Sequence, residues 1–128
     1  MFRNLMLVAA LTMGVTACAT AMTMPAKTGE TALGTVMVDG KGMTLYTFAK
    51  DTMPGKSVCN GGCAKNWPPL MVPPGATAEG DWTIVSRDDG TKQWAYKGKP
   101  LYTWIKDQQP GDTTGDGFLN GAWHVAKP

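Results

Sequence analysis

Residues 45–51 read Leu-Tyr-Thr-Phe-Ala-Lys-Asp, and residues 101–107 read Leu-Tyr-Thr-Trp-Ile-Lys-Asp. The two stretches lie 56 positions apart, as Tyr46 and Tyr102 show. At the same offset a Pro-Gly pair (54–55) matches another (110–111), and Trp67 matches Trp123. An aromatic pair, an acid, a Pro-Gly turn and a tryptophan that keep one constant offset indicate a duplicated supersecondary unit.

Each copy carries the pattern of short β-strands. Residues 35–38 and 83–85 are β-branched runs of strand length, and each leads into an Asp-Gly turn, at 39–40 and 89–90. Further strands are predicted over 43–48 in the first copy, and over 93–96 and 100–104 in the second, around a Lys-Gly-Lys corner at 97–99. The sequence therefore predicts an all-β fold: one small domain of two pseudo-symmetric β-meander repeats with long loops.

The amino terminus is typical of an exported chain. Arg3 precedes an apolar stretch over 5–15 that is too short to span a bilayer. The residues Val-Thr-Ala-Cys at 15–18 resemble a lipobox, which predicts a signal peptide over 1–17 and an acyl lipid, with diacylglycerol, on Cys18. Cleavage after Ala21 by the ordinary signal peptidase is the alternative. Because Ala19 follows the cysteine, we expect an anchored protein at the outer membrane, facing the periplasm, in a Gram-negative host.

The rest of the chain is long enough for one core. Residues 18–33 lack a steady period and are predicted to be a flexible tether. The β domain is predicted over 34–128, with repeat one at about 34–70 and repeat two at about 82–126. The whole chain has 12 basic and 10 acidic residues, so no basic field is available to hold nucleic acid.

The three cysteines fit the same interpretation. If Cys18 is acylated, Cys59 and Cys63 remain as a pair, and an oxidising envelope favours a structural disulfide between them. Redox chemistry or metal binding by this pair is the alternative. Methionines at 43, 53 and 71 could add thioether ligands for copper.

The motif Tyr-x-aromatic-x-x-Asp occurs at 46–51 and 102–107, with Ala64 after the cysteine pair, Trp-Pro-Pro-Leu at 67–70 and Trp-His-Val at 123–125. The chain resembles a family of predicted bacterial lipoproteins defined by this repeated motif, also described as a secreted repeat of unknown function. The resemblance implies a duplicated domain of the cell envelope. It implies no established enzymatic activity, so no catalytic residue can be carried over.

The motif side chains are predicted to build the core between the two copies. The aromatic members lie two positions apart on one strand face, and turn aspartates commonly accept backbone N–H bonds. A ligand platform is the alternative role. The repeat-motif residues are Tyr46, Phe48, Asp51, Trp67, Tyr102, Trp104, Asp107 and Trp123.

Few residues could support metal binding or catalysis. Asp107, Asp112 and Asp116 could form a loose oxygen site, but Trp123 at the twelfth place excludes a helix-flanked calcium loop. His124 is the single histidine and a weak metal candidate. Neither serine lies in a nucleophile-elbow motif, so a hydrolase is the weakest hypothesis.

The function predicted from these residues is that of a non-enzymatic envelope lipoprotein with a structural or binding role. The alternative is an envelope protein that handles redox equivalents or copper through Cys59 and Cys63. No cofactor is predicted beyond the lipid on Cys18. The expected partners are the membrane, through that lipid, and a protein or small molecule that the sequence does not name.

Overall fold

The computed structural model describes residues 24–128, which form seven short strands and two helical turns. The predicted signal peptide and Cys18 lie outside the described residues. None of the helices within 24–128 is long and apolar enough to cross a membrane. The predicted all-β fold class is confirmed. The strands are β1 (Lys27–Thr31), β2 (Gly34–Val38), β3 (Tyr46–Phe48), β4 (Trp82–Ser86), β5 (Lys92–Tyr96), β6 (Lys99–Pro100) and β7 (Trp123–Val125), and the helices are α1 (Gly62–Asn66) and α2 (Phe118–Gly121).

Strand β1 corrects the predicted tether. The sequence predicts a flexible segment over 18–33, but Lys27–Thr31 pairs along its whole length with β2, and Lys27 lies opposite Val38. The side chains of β1 are exposed or half-buried. Because the strand is held by backbone pairing and not by an apolar face, it shows no period of two. The folded domain therefore begins near Lys27, and not at residue 34.

One hairpin and one three-stranded meander form the outer parts of the fold. β1 and β2 are antiparallel, and β4, β5 and β6 form an antiparallel meander. The predicted corner between β5 and β6 is present, with positive φ at Lys97 (49°) and Gly98 (82°). Two successive positive φ values produce the tight turn whose twist matches antiparallel strands.

The centre of the fold joins the two repeats. β3 of repeat one pairs with β7 of repeat two, so that Phe48 lies opposite Trp123. Beside this pair, Tyr46 and Tyr102 exchange backbone hydrogen bonds, with N···O distances of 2.8 and 3.0 Å. Because equivalent residues of the two copies bond to each other reciprocally, a pseudo-two-fold axis passes between Tyr46 and Tyr102.

The strands predicted over 43–48 and 100–104 are shorter than expected. In the first, the Leu45 amide bonds to Met37 O on one side, and the Tyr46 amide bonds to Tyr102 O on another. In the second, the Leu101 amide bonds to Trp94 O. The chain changes partner between neighbouring residues at these points, so no continuous ladder forms. Only Tyr46–Phe48 and Lys99–Pro100 remain as strands.

The buried apolar residues form two clusters. The larger one, here called the aromatic cluster, lies between the repeats and contains Val36, Val38, Tyr46, Phe48, Cys59, Trp67, Tyr102, Trp104, Trp123 and Val125. The second lies under the β4–β5–β6 meander and contains Ala26, Met37, Leu45, Trp82, Trp94, Leu101 and Ala126. Both clusters draw residues from both repeats, so neither repeat has a core of its own.

Candidate functional site

Four motif rings form a continuous stack through the aromatic cluster. Their order is Phe48, Trp123, Trp67, Trp104, with centroid separations of 4.2, 3.8 and 4.0 Å. The members alternate between the first and the second copy. Trp67 and Trp123, which are equivalent positions, lie at the centre with an interplanar angle of 1°. The stack therefore continues the pseudo-two-fold relation into the side chains, and it contributes dispersion and apolar burial to the contact between repeats.

The two motif tyrosines flank this stack edge-on. Tyr46 meets Trp67 at a centroid distance of 5.3 Å and 77°, and Tyr102 meets Trp123 at 5.0 Å and 87°. Edge-to-face contacts place the positive ring edge against the negative face of the indole. Both tyrosines have no exposed surface. Their position fixes where the two hydroxyl groups point.

Each tyrosine hydroxyl donates to the motif aspartate of the other copy. Tyr46 Oη bonds to Asp107 Oδ2 at 2.6 Å, and Tyr102 Oη bonds to Asp51 Oδ2 at 2.5 Å. Burial, followed by the hydrogen bond to the partner carboxylate, raises the pKa of both phenols. The hydroxyls are therefore hydrogen-bond donors at physiological pH, and not bases.

The same aspartates hold their own loops. Asp51 Oδ1 accepts a bond from the Val58 amide at 2.7 Å, and Asp107 Oδ1 accepts one from the Thr114 amide at 3.0 Å. Val58 and Thr114 are equivalent positions in the two copies. Each carboxylate thus joins its own loop to the tyrosine of the other repeat.

The first loop has an additional buried polar network. Ser57 Oγ lies 2.7 Å from Tyr102 Oη and accepts a bond from Arg87 Nη1 at 2.9 Å. Arg87 is 5% exposed and also donates to Gln93 Oε1 at 2.8 Å and to Cys59 O at 2.6 Å. Ser57, Arg87 and Gln93 were not among the residues predicted from the sequence. No local pattern marks these residues, although Arg87 is the single arginine after the predicted signal peptide.

Asp51 lies at the end of this network. Burial raises the pKa of its carboxyl above the ordinary value, while the bonds from Tyr102 and Val58 and the charge of Arg87 oppose that rise. The path from Asp51 through Tyr102 and Ser57 to Arg87 places opposite charges at its two ends. Hydrogen bonds of this kind partly compensate a guanidinium that is buried away from water.

The predicted disulfide is present between Cys59 and Cys63. It closes the first loop, with Cys59 fully buried in the aromatic cluster. At the position equivalent to Cys59 the second copy has Gly115, where an added Cβ would lie 2.6 Å from Cη2 of Trp67. The second loop therefore approaches the stack more closely than the first, and a cysteine would not fit there.

The structure does not gather the predicted metal candidates into a site. Asp107 is used by Tyr46 and Thr114, Asp112 Oδ2 accepts two backbone bonds, and Asp116 Oδ1 accepts the Val125 amide. His124 Nδ1 lies 3.6 Å from Asp116 Oδ1. Within residues 24–128 no group of three or more His, Cys, Asp or Glu side chains is placed to hold a metal ion.

The weakest hypothesis, a hydrolase, finds no catalytic arrangement at Ser57 among the described residues. Ser57 Oγ interacts with Tyr102, Arg87 and the Cys59 amide, and His124 is not among its partners. A serine nucleophile needs a base within hydrogen-bond distance. The Ser57 hydroxyl therefore serves to hold the buried network together.

Comparison with known proteins agrees with this architecture. A family model described as a secreted repeat of unknown function matches residues 27–71 and again residues 83–127. The chain belongs to this family. The resemblance found in the sequence is thereby confirmed, and the two matches correspond to the two repeats of the fold. The secreted-repeat description agrees with an exported chain, whereas no curated protein and no solved structure matches it.

Proposed function

We propose that this chain is a non-enzymatic lipoprotein of the cell envelope, in which the two repeats form one rigid body that serves a structural or binding role. The observation that carries the proposal is the reciprocal use of the motif. The hydroxyls of Tyr46 and Tyr102 and the carboxylates of Asp51 and Asp107 bond to one another and to their loops. Groups engaged in this way stabilise a fold and are not available to a substrate.

The anchoring part of the proposal rests on the lipobox at residues 15–18. With Cys18 acylated, Cys59 and Cys63 are left as a pair, which agrees with the disulfide in the first loop. In a Gram-negative host, Ala19 after the lipidated cysteine favours the outer membrane, with the domain facing the periplasm. Lipid and a short tether would then hold the domain close to the bilayer.

The experiment is Cys18→Ser in the full chain, expressed in its own host. We expect the native protein to gain the mass of an acylated cysteine and to fractionate with membranes, whereas the variant loses both properties. Ala19→Ser is a matched control, because it changes the next residue and keeps the cysteine. A native protein without lipid mass, or a variant that stays membrane-bound, would contradict lipid anchoring.

The alternative of redox or copper handling through Cys59 and Cys63 has no further support. The two sulfurs are bonded to each other, so neither is a thiolate ligand in this state. Met53 and Met71 are exposed. Copper analysis of the purified protein, reduced and oxidised, tests this alternative, and stoichiometric copper on the reduced form would favour it.

A further inference from the structure

A groove lies on the outer face of the central strand pair. It is lined by Thr47 of β3 and His124 of β7, which lie opposite each other, and by the corner between β5 and β6. The buried apolar residues Met37, Leu101 and Ala126 also line it. Its volume of about 510 Å³ lies within the range of roughly 300 to 1,000 Å³ that is typical of small-molecule sites. We call this concavity the lysine groove.

Three cations line the lysine groove. Lys97, Lys99 and Lys127 are all exposed there. Within residues 24–128, none of the three lies within salt-bridge distance of a carboxylate. Asp51 is the acid among the lining residues, but its oxygens already accept bonds from a tyrosine hydroxyl and a backbone amide. The groove therefore has a positive charge that the described fold leaves uncompensated.

Two of the ammonium groups have contacts that fix their positions. Lys127 Nζ donates to Leu33 O at 2.6 Å, and Lys97 Nζ lies 5.2 Å from the ring centroid of Tyr96, which also lines the groove. A lysine ammonium has three protons, so both groups keep donors for a ligand. Because these contacts restrict two flexible side chains in advance, less entropy is lost when a ligand binds.

The duplicated fold does not require these charges. At the repeat offset, three groove residues have counterparts that cannot be charged: Lys99, His124 and Lys127 correspond to Met43, Pro68 and Met71. The backbone of the two faces is equivalent, because the Thr103 amide donates to Pro68 O at 2.8 Å where Thr47 lies opposite His124. The first copy thus forms this face without the cations, so their presence on the other face calls for a separate reason.

The chemistry of the lining indicates which ligand fits. A positive groove attracts an anion, and lysine binds phosphate as a point charge, whereas planar carboxylates favour the fork of an arginine. Lysines line this groove and, among the described residues, no arginine does. A phosphate monoester carries nearly two negative charges at neutral pH, which offsets three cations better than a carboxylate does. The buried apolar residues beside the lysines favour a ligand with an apolar body.

We propose that the lysine groove binds a small, soluble phosphate monoester with an apolar body. The phosphate faces Lys97, Lys99 and Lys127, and the apolar body lies against the buried residues of the groove. This inference rests on the binding role proposed above and assigns it a ligand class, but it does not depend on lipid anchoring.

The test is an NMR titration of the isotope-labelled full chain in phosphatidylcholine nanodiscs, with phenyl phosphate as the probe. We expect saturable shifts of the amides of Thr47, Lys99 and Lys127, and no shift at Thr103 or Lys106. Inorganic phosphate, phenol and benzoate separate the contributions of the charge, the ring and the type of anion. Each of these three should bind at least about tenfold more weakly than phenyl phosphate.

Variants test the charge and the space of the groove separately. Lys99→Gln and Lys127→Gln should each weaken binding of phenyl phosphate by about fivefold. Lys106→Gln is the matched control, because Lys106 is exposed and lies outside the groove. Thr47→Trp fills the groove without changing its charge and should abolish binding, whereas Thr103→Trp, at the equivalent position of the other face, should retain it.

Several results would overturn the assignment. Unchanged binding in both lysine variants, or shifts confined to other surfaces, would exclude the lysine groove as the site. Benzoate or inorganic phosphate that binds as tightly as phenyl phosphate would refute the ligand class. Competition by phosphatidic acid in the nanodiscs, compared with phosphatidylglycerol, would assign the groove to a lipid headgroup and overturn a soluble ligand.

The two proposals fail separately. A negative titration removes the ligand class and leaves the anchored, structural protein intact. Lipid anchoring fails on the acyl mass and on membrane fractionation, which the titration does not measure. A chain without lipid is titrated in buffer instead of nanodiscs, with the same expected shifts at Thr47, Lys99 and Lys127.

Discussion

The buried hydroxyl of Tyr102 allows the reciprocal motif to be tested by removing one atom. Tyr102→Phe keeps the ring against Trp123 and deletes the bonds to Asp51 and Ser57. A buried bond to a charged partner contributes about 1.5 to 3 kcal/mol, and a neutral one contributes about 1 kcal/mol. Because Ser57 retains Arg87 as a donor, we expect a loss of about 3 kcal/mol in the free energy of unfolding near neutral pH.

This loss should depend on pH in a defined direction. Burial raises the pKa of Asp51 in the folded state, and the bond from Tyr102 opposes that rise. Without the hydroxyl, the folded pKa lies further above the unfolded value, so the ionised carboxylate destabilises the fold more strongly. That extra destabilisation is present above the folded pKa and disappears as the pH falls through it. The cost of Tyr102→Phe should therefore shrink on acidification.

The assay is urea unfolding followed by tryptophan fluorescence, at about pH 7 and about pH 4.5, with the native chain measured at each pH. Tyr96→Phe is the control, because Tyr96 is only partly buried and its hydroxyl takes no part in this network. Equal losses for the two variants, or a loss for Tyr102→Phe that does not change with pH, would refute the reasoning.

Two further predictions concern the loops. Gly115→Ala should destabilise the fold by about 2 kcal/mol, because its Cβ would overpack Trp67. The control Gly62→Ala meets nothing within 4 Å and should leave the urea midpoint unchanged or slightly higher. Equal midpoints for the two variants would contradict the close approach of Gly115 to Trp67. Reduction of the disulfide between Cys59 and Cys63 should lower the free energy of unfolding by about 2 kcal/mol, as expected for so short a ring. The reduction potential of this disulfide should lie below about −300 mV. A higher potential, or no change in the urea midpoint on reduction, would argue against a structural bridge.

The duplicated β fold could be predicted from the sequence because its motif occurs twice. The constant offset between Tyr46 and Tyr102 indicated the duplication, and the Lys97-Gly98 corner has the turn chemistry its position requires. The disulfide followed from cysteine parity. These features depend on local residue types, which a single chain displays directly.

Other features depend on contacts that local patterns do not encode. The spacing of tyrosine and aspartate is the same whether each tyrosine bonds to its own acid or to that of the other copy, so the exchange between Tyr46 and Asp107 was not predictable. Arg87 follows a strand and precedes a turn, which is typical of a surface residue, but the first loop folds over it. Leu119 has a left-handed backbone conformation that leucine rarely adopts, so its residue type does not predict this turn.

The exchange of bonds between repeats also has a consequence for how an exported chain of this kind folds. Tyr46 and Asp107 are 61 positions apart, and Tyr102 and Asp51 are 51 apart. A polypeptide that crosses a membrane amino end first delivers the earlier half long before its partner residues arrive. During that interval Trp67 lacks Trp104 and Trp123, and Tyr46 lacks Asp107. Contacts of such long range form slowly. We therefore expect the first half to stay unfolded until β7, the last strand of the described fold, has emerged.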